Sequence, residues 1–252
     1  MKRAFTLVEL TVVLTVIAIL THLAVRELGS LRDRKLAKAA DGQLDTIRTA
    51  SAAFLSDVGR LPRWTVATNG DEEVRTLSEL WMRPDDLPPS AVTNLDGVAV
   101  RAGWRGPYLR LPFGKTRLFD PWGNPIESRD AAGLVRLWAT NSIVTNVCHY
   151  GPSAQARDRR DRSLVPDGGA AQSVVVNVWS DREAGACKVT CYSPVEGVVT
   201  AKTVDGTIGT PIELKNVTPG ERLIRATCAS GAAAARFVNV GLGMGAVEIR
   251  LP

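Results

Sequence analysis

The chemically most unusual residue of this sequence is a carboxylate inside an apolar run. In residues 5–25, Glu9 is the only acidic side chain and His22 is the only other titratable one. A carboxylate within a bilayer is costly and normally has a partner, and an ion pair can offset that cost. Glu9 therefore indicates a functional contact, unless the run is a plain signal anchor in which this side chain lies at the membrane interface.

Titratable groups elsewhere form no recognisable catalytic motif. His149 is the only histidine outside the apolar run, and it has no HExxH or GxSxG context. The tripeptide that begins at Gly114 is similar to the end of a phosphate-binding loop, but Leu109 stands where that loop requires glycine. We therefore predict that the protein is not an enzyme.

Four cysteines give the chain a possible redox chemistry. An even number allows one or two disulfides in an exported protein, but it does not fix their pairing. Two of the four are four residues apart, so on a strand they would share a face and could equally be small core residues. The four residues are Cys148, Cys187, Cys191 and Cys228.

The charge pattern argues against a nucleic-acid partner. The 31 basic and 26 acidic residues give a net charge of +5, but the arginines are spread along the chain. In the densest cluster, residues 157–162, Asp158 and Asp161 alternate with arginines and would weaken its attraction for a phosphate backbone. We expect this cluster to be a solvated loop.

The apolar run itself has the length of one membrane span. At a rise of about 1.5 Å per residue, a helix over residues 5–25 reaches roughly 30 Å, which matches the hydrocarbon core of a bilayer. Lys2 and Arg3 precede it and should stay on the cytoplasmic side. The sequence therefore predicts a single-pass membrane protein with its N-terminus inside and the rest of the chain outside.

Beyond the span, apolar residues continue to recur at three-to-four-residue steps. This period predicts one helix of about fifty residues in all, which includes the span. Gly59 and Pro62 should end it, because glycine favours the C-terminal cap and proline cannot extend a helix. We also expect a short second helix at residues 76–81 and strands at residues 134–138 and 143–149. The apolar positions that carry the period are Leu36, Ala40, Leu44, Ile47, Phe54 and Val58.

The last third of the chain has the pattern of an all-β unit. Short β-rich runs are separated by Gly, Pro, Asp and Asn, which predicts a small β-sandwich. The seven runs are residues 173–179, 186–192, 197–204, 211–217, 221–228, 236–240 and 245–251. The predicted fold class is α+β: a long N-terminal helix, half transmembrane and half amphipathic, packed on a small antiparallel sheet and followed by a sandwich-like domain.

Residues 2–10 resemble the class III prepilin signal of type IV pilins and pseudopilins, in which a small residue separates a basic leader from the apolar helix. The resemblance implies that a prepilin peptidase cuts between Ala4 and Phe5, that Phe5 becomes N-methylated, and that Glu9 meets the amino group of Phe5 in a neighbouring copy. The family usually has glycine before the cut, so Ala4 should slow processing.

Two further segments resemble motifs of the major pseudopilin of type II secretion systems. Each combines turn residues with aromatic side chains that can bury large area against the helix. The first, in residues 103–109, contains Gly103, Trp104, Gly106, Pro107 and Tyr108. The second, residues 120–125, is Asp120, Pro121, Trp122, Gly123, Asn124 and Pro125.

This resemblance implies a leader at residues 1–4, a transmembrane helix at 5–25, a periplasmic pseudopilin domain at 26–160, a linker at 161–172 and a sandwich-like domain at 173–252. It implies a subunit of a periplasmic pseudopilus that assists protein secretion. Its partners would be further copies of itself, other pseudopilins, the inner-membrane secretion assembly and the prepilin peptidase. The family's calcium loop would fall near Asp158 and Asp161, although four arginines crowd that region.

The sandwich-like domain departs from the major pseudopilin pattern. Residues 217–226 faintly resemble the turn and strand of extracellular transthyretin-like repeats. The alternative is therefore a membrane-anchored pilin-like binding protein, such as a minor or type IV pilus subunit, whose C-terminal domain recognises cargo or an envelope partner.

Overall fold

The fold was analysed in a computed structural model of the whole chain. The structure describes residues 7–63, 65–69, 72–95, 97–115, 117–129, 143–149, 159–166, 169, 171–241 and 244–252. The predicted strand at residues 134–138 lies outside these residues.

One long helix, α1 (Leu7–Val58, 52 residues), forms the N-terminal part. It ends where predicted, because Gly59 adopts a φ of +87° and its N–H donates to the carbonyl of Leu55 at 2.9 Å. The C-terminal half carries the predicted apolar stripe, of which five members are buried: Ala40, Leu44, Ile47, Phe54 and Val58. The prediction of a helix of about fifty residues is confirmed.

Short strands pack around the second half of α1. Two hairpins and a three-stranded antiparallel sheet of order β5-β6-β7 make up this region. The strands are β1 (Thr65–Asn69), β2 (Glu72–Thr76), β3 (Ala91–Leu95), β4 (Val98–Ala102), β5 (Glu127–Arg129), β6 (Asn146–His149) and β7 (Arg160–Ser163).

Two predictions in this region are wrong. The expected second helix at residues 76–81 is only a 3₁₀ turn, Ser78–Leu80, that follows the last residue of β2. The arginine-rich cluster is not simply a solvated loop, because its last residues form β7 and pair with β6. Arg160 and Arg162 then form ion pairs with Asp41 and Asp45 of α1, at 3.0 and 2.8 Å.

The C-terminal region contains seven strands at the seven predicted positions. They are β8 (Gln172–Trp179), β9 (Ala186–Val195), β10 (Val198–Thr207), β11 (Pro211–Val217), β12 (Gly220–Cys228), β13 (Ala233–Val240) and β14 (Val247–Arg250). One sheet has the order β10-β9-β12-β13 and the other β11-β8-β14, in which only the β14–β8 pair is parallel. Alternating residues of both sheets face each other across a shared core, as binary patterning requires.

The residues that the structure describes therefore form two hydrophobic cores. The first lies between α1 and the strands around it and includes Phe54, Leu80 and Val147. The second lies inside the sandwich and includes Val176 and Ile224. The α+β prediction is confirmed, whereas the domain boundaries stay predictions. Residues 161–163, which the sequence assigns to a linker, belong to β7.

Phe54 lies at the centre of the first core, so its truncation should destabilise the fold strongly. Its side chain is fully buried, with the Tyr108 ring 5.6 Å away edge-to-face and the Arg60 guanidinium 5.4 Å from its ring centroid. We expect Phe54→Ala to lower the free energy of unfolding by about 3–5 kcal/mol, through lost burial and a cavity. Urea unfolding of the full chain in detergent, followed by tryptophan fluorescence, measures this change.

Phe113→Ala is the matched control, because Phe113 is fully exposed and the same atoms are removed. Its unfolding midpoint should equal that of the wild type. Equal midpoints for all three proteins would contradict the placement of Phe54 in the core.

Candidate functional site, an assembly helix and its anchorage

The first half of α1 presents an apolar surface that nothing in the described part of the chain covers. Residues Leu7–Ala24 are long and apolar enough to cross a membrane by length and composition, and none of them is buried. Leu7, Leu14 and Leu20 each expose more than half of their side chains. An apolar surface of this size marks a contact with lipid or with another protein. Glu9 lies on it, two residues after the start of α1.

Three threonine hydroxyls on this half of the helix find their partners within the helix. The hydroxyls of Thr11, Thr15 and Thr21 donate to carbonyls three or four residues earlier, at 2.8–2.9 Å. In a bilayer each hydroxyl must find a partner in the protein, because no water is present. These threonines therefore fit an apolar environment. The predicted cleavage and methylation residues, Ala4 and Phe5, lie outside the described residues.

The Trp104 segment, residues 103–109, is held against the last turns of α1. Trp104 donates its indole N–H to the carbonyl of Glu79 at 2.7 Å, and the Tyr108 hydroxyl donates to the Asp57 carboxylate at 3.0 Å. The two rings pack edge-to-face with centroids 5.8 Å apart. Arg105 adds an ion pair to Asp57 at 3.1 Å. These two predicted aromatic residues thus pack half-buried rings against the first core and use their polar atoms to bind Glu79 and Asp57.

Gly103 shows why this segment needs glycine. Its φ is +103°, and a Cβ atom there would lie 2.5 Å from the carbonyl oxygen of Pro89. The close approach lets the Gly103 N–H donate to the carbonyl of Asp57 at 3.0 Å. The peptide bond between Gly106 and Pro107, later in this segment, is cis.

The Trp122 segment, residues 120–125, is a turn built on a buried carboxylate. Asp120 Oδ1 accepts hydrogen bonds from the N–H groups of Trp122 and Asn124, at 3.0 and 2.8 Å. Gln43 of α1 donates to the carbonyl of Phe119 at 2.8 Å and ties this turn to the helix. The Asp side chain replaces backbone partners here, as in other Asx turns. The remaining members of the segment are Pro121, Gly123 and Pro125.

The C-terminal end of α1 brings these parts together. The last four carbonyls of a helix have no partner within the helix. Here each one accepts a hydrogen bond from a different element. The donors are the N–H of Gly59 to Leu55 O at 2.9 Å, the Arg222 guanidinium to Ser56 O at 3.0 Å, the N–H of Gly103 to Asp57 O at 3.0 Å, and the N–H of Gly197 to Val58 O at 2.8 Å.

Arg222, on β12, is the charged member of this cap. It is 2% exposed, and besides Ser56 it donates to the carbonyls of Thr218, Pro219 and Glu221. Burial lowers the pKa of Arg222 to about 10. The guanidinium therefore remains protonated at neutral pH. Its charge lies at the negative end of the helix dipole, where a cation is stabilising.

An ionic cluster joins the end of α1 to the strands around the helix and to the C-terminal sandwich. Arg60 forms a bidentate pair with Glu79, at 2.7 and 2.8 Å, and also binds Glu196 at 2.6 Å. Glu196 lies in the turn between β9 and β10 and also accepts from Arg63 at 2.6 Å. Arg60 and Glu79 are 8% and 3% exposed. A buried pair of this kind fixes relative positions, because either charge alone would be costly.

Asp57, in the last turn of α1, is partly shielded from water. Burial raises the pKa of the Asp57 carboxyl above its usual value, and the nearby Arg105 opposes this shift. Burial also raises the pKa of the Tyr108 hydroxyl well above its usual value. Tyr108 therefore stays protonated and donates to Asp57 throughout the physiological range.

Asp161, one of the two residues predicted at the calcium loop, is paired with an arginine. Its carboxylate is held by Arg159 in a bidentate pair at 2.6 and 2.7 Å. Within the described ranges, no group of three His, Cys, Asp or Glu residues could hold a metal. The other predicted ligand, Asp158, lies outside those ranges.

Sequence reasoning did not identify Arg60, Glu79, Glu196 or Arg222 as structural residues. Arg60 carries a local signal, because a cation one residue after a helix cap complements the dipole. The other three lie far along the chain from the helix end, and no local pattern links them to it.

Arg222→Met tests the cap. Methionine keeps much of the apolar volume but leaves the carbonyls of Ser56 and Pro219 without their donor, so we expect a loss of about 3 kcal/mol in unfolding free energy. Arg236→Met on the neighbouring strand β13 is the control, since Arg236 is exposed. Urea unfolding of both variants in detergent gives the comparison, and equal midpoints would contradict the cap.

Comparison with known proteins adds one match. Residues 1–25 match the family described as the prokaryotic N-terminal methylation motif. No curated protein and no solved structure matches the chain.

The matched motif and the exposed apolar helix agree with each other. The motif implies processing by a prepilin peptidase and partners in pilus assembly. Together with the apolar helix, it indicates anchoring in the inner membrane. Proteins of this kind are structural and generally non-enzymatic. The chain is therefore a type IV pilin- or pseudopilin-like protein that assembles through its N-terminal helix.

Proposed function

We propose that this protein is the major pseudopilin of a type II secretion system. In this role its copies assemble through α1 into a periplasmic pseudopilus, whose growth promotes protein export across the outer membrane. Energy would come from a separate cytoplasmic ATPase. Its other partners would be further pseudopilins and the inner-membrane secretion assembly.

The observation that carries the proposal is the continuity of α1. One uninterrupted helix begins in an exposed apolar half and ends in a half that is packed into the first core. A contact between the apolar halves of two copies therefore also fixes the position of the strands that pack on the second half of each helix. This is the property that a filament subunit needs, and a flexible membrane tether lacks it.

The choice of type II secretion rests on the Trp104 and Trp122 segments. Both resemble the major pseudopilin, and both are bound to α1, through Asp57 and through Gln43. The resemblance and this common attachment to α1 support a shared role for the two segments in stabilising the strands around the helix.

The second candidate is a pilin-like binding protein, and one observation favours it. The seven-stranded sandwich has a core of its own, separate from the core around α1. A domain that is not needed to complete the first core is available for recognition of cargo or an envelope partner. Normal filaments with lost export, after substitutions on the outer face of the sandwich, would favour this candidate.

The mature N-terminus provides the first test. We expect mass analysis of protein from the native membrane to show a chain that begins at N-methylated Phe5. Ala4→Gly should speed cleavage, because it restores the family's usual residue before the cut. A chain that retains Met1 would overturn both the proposed processing and the filament role.

Glu9 provides the second test. We expect Glu9→Gln to enter the membrane but not to form filaments, because the amide cannot form an ion pair with the amino group of Phe5 in the next copy. Cross-linking between copies in membranes, and recovery of sheared filaments, measure assembly. Glu27→Gln removes a carboxylate from the exposed face of the same helix and serves as the control. Normal filaments from Glu9→Gln would contradict the proposed assembly contact.

A further inference from the structure

Two of the four cysteines face each other directly across neighbouring strands. In the antiparallel register of β9 and β12, Cys187 is the partner of Cys228. Both side chains point into the sandwich core, and they are 2% and 7% exposed. Directly opposed residues lie on the same side of a sheet, so the two sulfur atoms occupy the same layer of the core.

The backbone around Cys228 shows which type of pair this is. The N–H of Cys228 donates to the carbonyl of Ala232 at 2.9 Å, and its carbonyl accepts from Gly231 at 3.0 Å. Both backbone groups therefore point toward β13 and away from β9. Cys187 and Cys228 thus form a non-hydrogen-bonded pair, in which the Cα atoms are about 4.5 Å apart. This separation is within the range that a disulfide spans.

Cys228 also influences the thiol of Cys187. Burial, and then the neighbouring Cys228, raise the pKa of the Cys187 thiol. Cys228 Sγ lies 2.9 Å from the hydroxyl of Ser230. Rotation about the Cα–Cβ bond of Cys228 can move this sulfur from Ser230 toward Cys187, without a change in the backbone.

Other pairings within the sandwich do not fit. Cys187 and Cys191 are four residues apart on one strand, which is about 13 Å and beyond the reach of a disulfide. Cys191 faces Ile224 across the strand pair, and Ile224 is four residues from Cys228. Cys148 lies on β6, in a different sheet.

We propose that Cys187 and Cys228 form a cross-strand disulfide in the exported protein. Two thiols lose two protons and two electrons as the S–S bond forms, and the disulfide of a thiol oxidoreductase on the outer side of the membrane accepts them and becomes two thiols. The predicted orientation places the sandwich on that oxidising side. Because both sulfur atoms are buried in the folded chain, the exchange takes place before the sandwich closes.

The bond stabilises the strand that caps the assembly helix. It joins β9 to β12 and closes a loop that contains β10 and β11. Arg222 of β12 donates to Ser56, and the turn after β9 contributes Glu196 and Gly197 to the same helix end. The disulfide therefore holds together two strands whose ends anchor α1.

Peptide mapping of the full chain tests the proposal directly. The protein is purified from membranes of an exporting bacterial host, alkylated with iodoacetamide in denaturant and digested with trypsin without reduction. Cleavage after Lys188 separates Cys187 from Cys191, and cleavage after Arg225 places Cys228 in its own peptide. We expect one linked pair of peptides, 183–188 with 226–236, and alkylated Cys148 and Cys191. Alkylation of all four cysteines, or a link to Cys148 or Cys191, would overturn the proposal.

Thermal unfolding gives an independent measurement. A reductant should lower the melting temperature of the wild type by about 5–15 °C. The double variant Cys187→Ala/Cys228→Ala should melt near the reduced wild type and should not respond to reductant. Cys191→Ala is the matched control, and it should keep the full response. A response that survives in the double variant, or one that is lost in Cys191→Ala, would contradict the assigned pairing.

Discussion

The end of the long helix is the constraint on which the rest of the structure depends. Four carbonyls there have no partner inside the helix, and burial would make each of them costly. Their donors come from the cap at Gly59, from the Trp104 segment through Gly103, from the turn after β9 through Gly197, and from β12 through Arg222. The helix can therefore end in a buried position only when distant parts of the chain have folded against it. This requirement couples the two cores.

These bonds at the helix end explain how one helix can hold both the strands around it and the sandwich in fixed positions. The apolar half of α1 is exposed and the other half is packed, so any contact between copies acts on these strands through one rigid element. The ionic cluster of Arg60, Glu79 and Glu196 adds a second fixed link between the helix end and the sandwich. Gly59 allows the close approach, because a Cβ there would lie 1.8 Å from the carbonyl oxygen of Pro194. The sandwich is thus attached directly at the helix end.

Several features were predictable because their signals are local. The period of the apolar stripe gave the helix, and Gly59 gave its end. Alternation and turn residues gave all seven strands of the sandwich. The expected helix at residues 76–81 did not form, because Thr76 pairs with Thr65 in the β1–β2 hairpin and only Ser78–Leu80 make a 3₁₀ turn. The arginines of β7 were expected in a solvated loop. Their side chains do stay partly exposed, but nothing near them in sequence indicates their partners Asp41 and Asp45 on α1.

The sequence by itself determined the apolar helix with its single acid, the prepilin-like signal, the end of the helix and the positions of the β-strands. All of these depend on residue types within one or two turns or strands. Only the tertiary structure decided that Arg222 caps the helix, that Glu79 neutralises Arg60 and that Cys187 faces Cys228. The physical reason is that these contacts join residues far apart in the chain. Their pairing is set by strand register and by the packing of the sandwich on the helix, and local patterns do not encode either one.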